Sequence, residues 1–309
     1  MKFHKPVVEY ETVDSGKNLI RTLFVSNNIV IRTAHWAGNG KRMKTKEVII
    51  EQQKDFIQEM KGKTISFTNS IDKSEIETIL LSGSVSRGDY FPQKKENAEY
   101  NGMVDLIVMR KKGSTITAEE IFGPDQDPPI PYHCVKIDNI WFAILFTDFI
   151  DIDMFSKFEE PRKFSVLESQ ILYDRNNSYK NELVKINQFA KEDLENNLNG
   201  SLGYIHYLIS DYKKDRWYRR DAFIQLHENL NTAIRAGIRA LFYLNGFYSP
   251  AEDRAIYYSH SLQKLPENYA EVISKACNQK TDSEEDYFTR EKIFMENIVG
   301  FIEKSKSCK

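Results

Sequence analysis

"LLSGSVSRGDYFP", residues 80–92, begins as an apolar run, ends that run in a Gly-Ser pair and passes directly into a polar turn. A glycine at the end of a strand lets backbone N–H groups approach an anion closely, and an adjacent serine adds a hydroxyl donor. Arg87 offers a charge-assisted donor for the same oxygens. The stretch therefore predicts a strand followed by a triphosphate-binding turn that uses Gly83, Ser84, Ser86 and Arg87.

The next apolar run, "MVDLIVM" at residues 103–109, contains a single carboxylate, Asp105. A charged group within an apolar strand requires a reason, because burying an unpaired carboxylate is costly. Mg²⁺ prefers oxygen ligands and binds together with substrate phosphates, so Asp105 is a candidate magnesium ligand and catalytic residue. A structural role, in which Asp105 pairs with an arginine or caps a backbone amide, is the alternative.

A strand, a Gly-Ser turn and an aspartate on the next strand resemble the core motif of the DNA polymerase β-like nucleotidyltransferase superfamily. "LLSGSVSRGD" is similar to the Gly-Ser-x-Ala-Arg-Gly sequence of many bacterial members, and the resemblance covers roughly residues 20–175. It implies a nucleoside triphosphate and Mg²⁺ as ligands, and transfer of a nucleotidyl group to a hydroxyl of an acceptor that the sequence does not name.

The carboxylate part of the family motif is incomplete. Ile107 stands at the second carboxylate position, and Ala143 stands where the third is expected. Family members use two or three carboxylates to hold two divalent ions, for which one carboxylate is a poor scaffold. The alternative function is therefore a catalytically degenerate module that binds a nucleotide or a partner. Five other aspartates could substitute for the missing ligands: Asp89, Asp138, Asp148, Asp151 and Asp153.

The surrounding sequence predicts an α/β or α+β domain with a mixed sheet. "TKEVIIEQQKDFIQEM" has apolar residues at helical spacing, and short apolar runs on either side predict strands. Two strands are expected around an Asn-Asn turn in "TLFVSNNIVIRT" and two more around Asp138-Asn139. We also predict a short strand for "KTISFTN", residues 63–69, in the region after the helix.

The second half of the chain changes to helical periodicity. A clean apolar stripe from Phe223 to Leu244 ends at Asn245-Gly246, a typical helix stop, and a break is expected near Asn199-Gly200. We predict an all-α bundle of about five helices. The polar segment "DRNNSYKN" sets the predicted boundary, which gives a nucleotidyltransferase-like domain at 1–178 and a helical bundle domain at 179–309.

Composition narrows the class of protein. Of 309 residues, 41% are apolar and 28% are charged, which is typical of a globular protein, and the net charge of −2 does not indicate nucleic acid as a partner. Three cysteines without a Cys-x-x-Cys motif argue against a disulfide framework or zinc site. No apolar run suits a signal peptide or a membrane span, so we predict a cytoplasmic protein.

Two features of the second half suggest other chemistry. Arg254 and His260 have the Arg-x₅-His spacing of HEPN ribonucleases, although Ala255 replaces the polar residue that usually follows the arginine. The segment "YKKDRWYRRD", residues 212–221, could contact phosphates or stack on a base. The favoured interpretation of this segment is a solvated helix end with Trp217 and Tyr218 packed against the other domain.

Overall fold

The computed structural model describes residues 43–90, 103–127, 132–138 and 140–307, and the backbone of three strands that precede them. The chain divides into two compact units, Val48–Asp193 and a unit that combines Met1–Glu47 with Leu194–Lys309. The division falls inside a single helix, Ser178–Leu208. The boundary predicted between residues 178 and 179 lies at the start of that helix and stays a prediction.

The elements before the long helix are short strands and helices. In chain order, the first are β1 (Tyr10–Glu11), β2 (Arg21–Ser26), β3 (Ile29–Arg32), α1 (Lys46–Ser70), β4 (Ile76–Ser82), α2 (Gly83–Arg87) and β5 (Met103–Arg110). They are followed by α3 (Ala118–Phe122), β6 (His133–Ile137), β7 (Ile140–Thr147), α4 (Ile152–Ser156), α5 (Glu160–Leu167) and β8 (Gln170–Asp174).

Two sheets form from these strands. The first three strands make an antiparallel sheet, which confirms the two strands predicted around the Asn-Asn turn; the turn residues themselves lie outside the described residues. The other five have the order β6-β7-β5-β4-β8, in which β5 and β7 are parallel and every other pair is antiparallel. This mixed sheet, with helices around it, confirms the predicted α/β class.

The five-stranded sheet and α1 share one apolar core. Ile79 of β4 and Val108 of the central strand β5 are fully buried, and Phe67 of α1 lies 4.4 Å from Phe142 of β7, ring centre to ring centre. Burial on this scale holds the strand ends that carry the candidate site in fixed positions.

The strand predicted for "KTISFTN" is wrong, because these residues form the last turns of α1. Ile57, Met60, Thr64 and Thr68 are buried at helical spacing, so the packed face continues through the β-branched residues. The Thr64 hydroxyl donates a hydrogen bond of 2.7 Å to the carbonyl of Met60, one turn earlier. Tertiary packing thus outweighs the β propensity of this short segment.

The remainder of the chain is almost entirely helical, as predicted. Its elements are α6 (Ser178–Leu208), α7 (Asp211–Tyr218), α8 (Phe223–Leu244), α9 (Glu252–Ser259), α10 (Tyr269–Cys277), α11 (Glu284–Phe294), a π-helical segment (Met295–Val299) and α12 (Gly300–Ser307). Within the described residues, no helix is long and apolar enough to cross a membrane.

The expected helix break near Asn199-Gly200 is wrong, since α6 continues through both residues. Both are exposed, and the buried stripe that runs through Leu198 and Leu202 continues on either side of them. A glycine inside a helix costs about 1 kcal/mol relative to alanine. Burial of two leucines on the same face exceeds that cost, at about 1.5–3 kcal/mol for each side chain.

A buried polar network joins α8, α10 and α11. Arg290 is 1% exposed, and its guanidinium donates to the carbonyl of Ala276 (2.8 Å), to Nδ1 of His227 (2.8 Å) and to Oδ1 of Asn231 (2.5 Å). The opposite ring nitrogen of His227 lies 3.2 Å from the carbonyl of Ser283. Each of these buried groups has a partner, so the network stabilises the helices within Leu194–Lys309, which we call the helical unit.

Candidate functional site

The predicted turn and the predicted aspartate lie beside each other in the unit Val48–Asp193. Antiparallel pairing of β4 with β5 places Ser82 opposite Asp105, and Gly83 follows immediately as the first residue of α2. Gly83 has a φ of +68°, and a Cβ added to it would lie 2.8 Å from Cγ of Asp105 and closer still to Oδ2. The carboxylate therefore occupies the space that any other residue at position 83 would need.

Ser84 is the second residue of α2 and is half-buried. Its carbonyl accepts a hydrogen bond of 3.0 Å from the backbone N–H of Asp89, which closes the turn. Among the described residues its hydroxyl has no hydrogen-bond partner, so this group is available to donate to a ligand.

Ser86 faces the interior rather than the turn surface. It is 3% exposed, and its hydroxyl donates to the carbonyl of Glu168 over 3.1 Å. Its own carbonyl accepts from Nε2 of Gln170 (2.6 Å) and from Nζ of Lys61 (3.3 Å). These contacts hold the turn against the segment between α5 and β8, and a role for Ser86 in ligand binding stays a prediction.

Arg87 is also turned inward. Its side chain is 5% exposed, and Nε lies 3.5 Å from Oδ1 of Asp89, whose side chain is 2% exposed. The guanidinium carbon lies 5.8 Å from the centre of the Phe164 ring. These contacts link the turn to α5, and contact with a phosphate would require the side chain of Arg87 to rotate outward.

Tyr90 is a neighbour of Asp105 that the sequence alone did not indicate. Burial raises the pKa of Tyr90, and the negative charge of Asp105 adds to the increase, whereas a hydrogen bond from the Met103 N–H opposes it. The Tyr90 ring stacks on Phe56 of α1, with 5.8 Å between ring centres. Tyr90 follows Asp89 directly, and an aromatic residue at that position does not by itself indicate a functional role.

The neighbouring strand positions do not supply further carboxylates. Parallel pairing of β5 with β7 places Ala143 directly opposite Asp105, while Ile107 is 4% exposed within the core. Within the described ranges no group of three His, Cys, Asp or Glu side chains could hold a metal ion. A single carboxylate and a serine hydroxyl fit one Mg²⁺ that is shared with substrate phosphates, and they do not fit a pair of ions.

Of the five aspartates that could substitute for the missing metal ligands, two have partners outside the site. Asp148 pairs with Arg110 over 2.6 Å, and the side chain of Asp151 accepts a hydrogen bond of 2.9 Å from the N–H of Met154 at the start of α4. The remaining three lie in the interior turn after α2, in the β6–β7 turn and in the first turn of α4: Asp89, Asp138 and Asp153.

The ribonuclease-like pair has properties that suit structure better than catalysis. Arg254 is exposed and its Nε lies 3.3 Å from the carboxylate of Asp253. Burial lowers the pKa of His260 to about 4, and its ring lies 5.2 Å from that of Tyr269. A general acid or base works best with a pKa near the operating pH, so His260 is poorly matched to that role near neutral pH.

Comparisons with known proteins find a distant structural similarity. No family model and no curated protein matches the sequence. Among solved structures, the chain is similar to the crystal structure of a nucleotidyltransferase-like protein from Exiguobacterium sibiricum, with 10% identity and a TM-score of 0.39. The similarity covers 81% of this chain and 75% of that chain. At this identity and score, it carries no information about individual residues or function.

Proposed function

We propose that the chain binds a nucleoside triphosphate with one Mg²⁺ at the turn after β4 and transfers its nucleotidyl group to a hydroxyl of an acceptor. The observation that carries the proposal is the contact between Gly83 and the carboxylate of Asp105. A positive φ and the absence of a side chain at position 83 leave backbone and carboxylate close together, and Ser84 is the next residue in the chain.

Each residue has a distinct part in the proposed reaction. Asp105 would hold the metal ion, and Ser84, together with the backbone of the turn, would donate hydrogen bonds to phosphate oxygens. The acceptor oxygen forms a bond to the α-phosphorus while the hydroxyl proton passes to solvent water. The bond from that phosphorus to the oxygen that bridges to the β-phosphorus breaks, and pyrophosphate leaves. The bound ion would neutralise charge on the phosphate oxygens.

A second candidate function is nucleotide binding without transfer. Ala143 lies opposite Asp105, and Ile107 is buried, so these two positions offer no ligand for a second ion. Such a protein would bind a triphosphate and act as a sensor or as a partner-binding module. Both candidates require Gly83, Ser84 and Asp105, and they differ only in turnover.

Calorimetric titration tests the site that the two candidates share. ATP, GTP, CTP and UTP would each be titrated with and without Mg²⁺ into wild type, Asp105→Asn and the control Asp148→Asn, which also removes one carboxylate. We expect at least one triphosphate to bind in a Mg²⁺-dependent manner, the binding to be lost in Asp105→Asn and to persist in the control. Absence of binding to all four nucleotides would refute both functions.

Release of pyrophosphate distinguishes the two candidates. The triphosphate that binds would be incubated with Mg²⁺ and a panel of hydroxyl acceptors that includes small molecules, protein and oligonucleotide 3′ ends. Pyrophosphate released by wild type and not by Asp105→Asn supports transfer. Tight binding without any pyrophosphate across the panel favours the non-catalytic module.

A further inference from the structure

One side of α7 carries exposed aromatic and basic side chains, which we call the aromatic–basic face. Tyr212 and Arg216, and likewise Lys213 and Trp217, are four residues apart, so each pair lies on the same side of the helix. Two residues outside the helix extend the face: Tyr207 in the last turn of α6 and Arg220 in the turn after α7.

The three cations of this face contact rings. Nζ of Lys213 lies 4.3 Å from the ring centre of Tyr207, and the guanidinium carbon of Arg216 lies 5.6 Å from that of Tyr212. Arg220 is 6.0 Å from the Trp217 ring. In the part of the chain that the structure describes, none of these cations has a carboxylate within salt-bridge distance, so the face carries about three uncompensated positive charges.

The other cations of the same segment are neutralised. Lys214 pairs with Glu291 at 3.0 Å and with Asp211 at 3.3 Å, and Arg219 pairs with Asp215 at 2.7 Å. The carboxylates of α7 are therefore paired with cations outside the aromatic–basic face. This separation creates a local positive charge on a chain whose net charge is −2.

The rings of the face are accessible. Tyr212 is 66% exposed and Tyr207 is 51% exposed, whereas large apolar side chains are usually buried. Of the two residues that the sequence predicted to pack, Trp217 is half-buried and Tyr218 is exposed. An exposed cluster of aromatic and positively charged groups is typical of an interaction surface.

We propose that the aromatic–basic face binds single-stranded nucleic acid. Bases would stack on the exposed rings and on the guanidinium planes, and the three cations would contact phosphates. A membrane surface is disfavoured, because α7 has no aliphatic side chain to insert into lipid and its tryptophan, Trp217, is half-buried. This proposal does not depend on nucleotidyl transfer.

Fluorescence anisotropy with labelled U10, dT10 and a matched 10-base-pair duplex, at 50–200 mM salt, tests the proposal. The charge variant combines Lys213→Gln, Arg216→Gln and Arg220→Gln. Its control also removes three positive charges from the helical unit, by Arg235→Gln, Lys264→Gln and Lys275→Gln, all at exposed positions. Because Lys213 is half-buried and the other five side chains are exposed, we expect both variants to fold, which thermal melting would verify.

We expect wild type to bind both single strands more tightly than the duplex, with log affinity falling by about 2 per log unit of salt, since three phosphate contacts contribute about 0.7 each. The charge variant should bind at least tenfold more weakly with a slope near zero, and the control should behave as wild type. Tyr207→Leu with Tyr212→Leu should weaken binding roughly tenfold and keep the slope, because stacking is lost and charge is retained.

Four results would overturn the proposal: no binding of either single strand at 50 mM salt, equal loss of affinity in the control, duplex binding as tight as single-strand binding, or no effect of the tyrosine substitutions. Binding to vesicles that contain 30% phosphatidylserine would be measured as a further test. Binding to those vesicles without binding to oligonucleotides would assign the face to a membrane surface instead.

Discussion

Gly83→Ala should destabilise the unit Val48–Asp193 through two separable effects. The first is backbone strain, because Gly83 has a φ of +68°, and an L-residue there costs about 1–2 kcal/mol. Alanine also reduces the conformational entropy of the unfolded chain, which offsets about 0.4–1 kcal/mol of that cost. The second is steric, because the new Cβ would lie 2.8 Å from Cγ of Asp105. Moving that side chain off its rotamer costs a further ~0.5–1.5 kcal/mol.

The total expected loss for Gly83→Ala is about 2 kcal/mol in the free energy of unfolding, measured by urea denaturation. Gly113→Ala is the matched control, because Gly113 has a φ of +82° and nothing lies within 4 Å of an added Cβ. That control should lose only about 1 kcal/mol, since it retains the backbone strain and lacks the clash.

A double-mutant cycle isolates the contact with Asp105. In an Asp105→Ala background, the nearest remaining neighbour of the new Cβ is the Cβ of residue 105, at 3.0 Å. Gly83→Ala should then cost about 1 kcal/mol less than in wild type, which is a measurable coupling energy. Equal costs for Gly83→Ala in both backgrounds, or a cost equal to that of Gly113→Ala, would refute the proposed proximity of carboxylate and turn.

Two further predictions concern the helical unit. Arg290→Met should reduce the free energy of unfolding by about 2–4 kcal/mol in urea denaturation, because Asn231 and His227 lose a buried partner; an unchanged midpoint would contradict this. His260→Gln should remove a loss of stability that wild type shows between pH 6.5 and pH 4. The lowered pKa of His260, about 4, means that the unfolded chain binds the proton first as the pH falls, and an identical pH profile of the variant would contradict it.

The local sequence pattern was sufficient to predict much of the fold. The apolar run before Gly83, the isolated Asp105 and the stripe from Phe223 to Leu244 predict the two strands and the central helix at nearly the observed positions. The errors fall where tertiary contacts outweigh local propensity. The end of α1 remains helical because Thr64 and Thr68 are buried on its packed face.

The local sequence also did not determine the geometry of the candidate site. Sequence order places Gly83, Ser84 and Asp105 on successive elements, but only strand register places Asp105 opposite Ser82 and beside Gly83. The sequence also offered Ser86 and Arg87 as phosphate donors, whereas their contacts with Glu168 and Asp89 turn both inward. Ser86 is held by a carbonyl 82 positions away in the sequence, and Arg87 lies against the similarly distant ring of Phe164.

The sequence by itself determined the class of each half, the strand–turn–strand segment and the residue types available for chemistry there, because backbone propensity and apolar periodicity act over a few residues. Only the tertiary structure decided which distant groups meet: the carboxylate of Asp105 against Gly83, and Lys214 of α7 against Glu291 of α11. Close packing of segments that are distant in sequence brings these groups together. It also selects one side-chain direction where the local sequence makes several equally favourable.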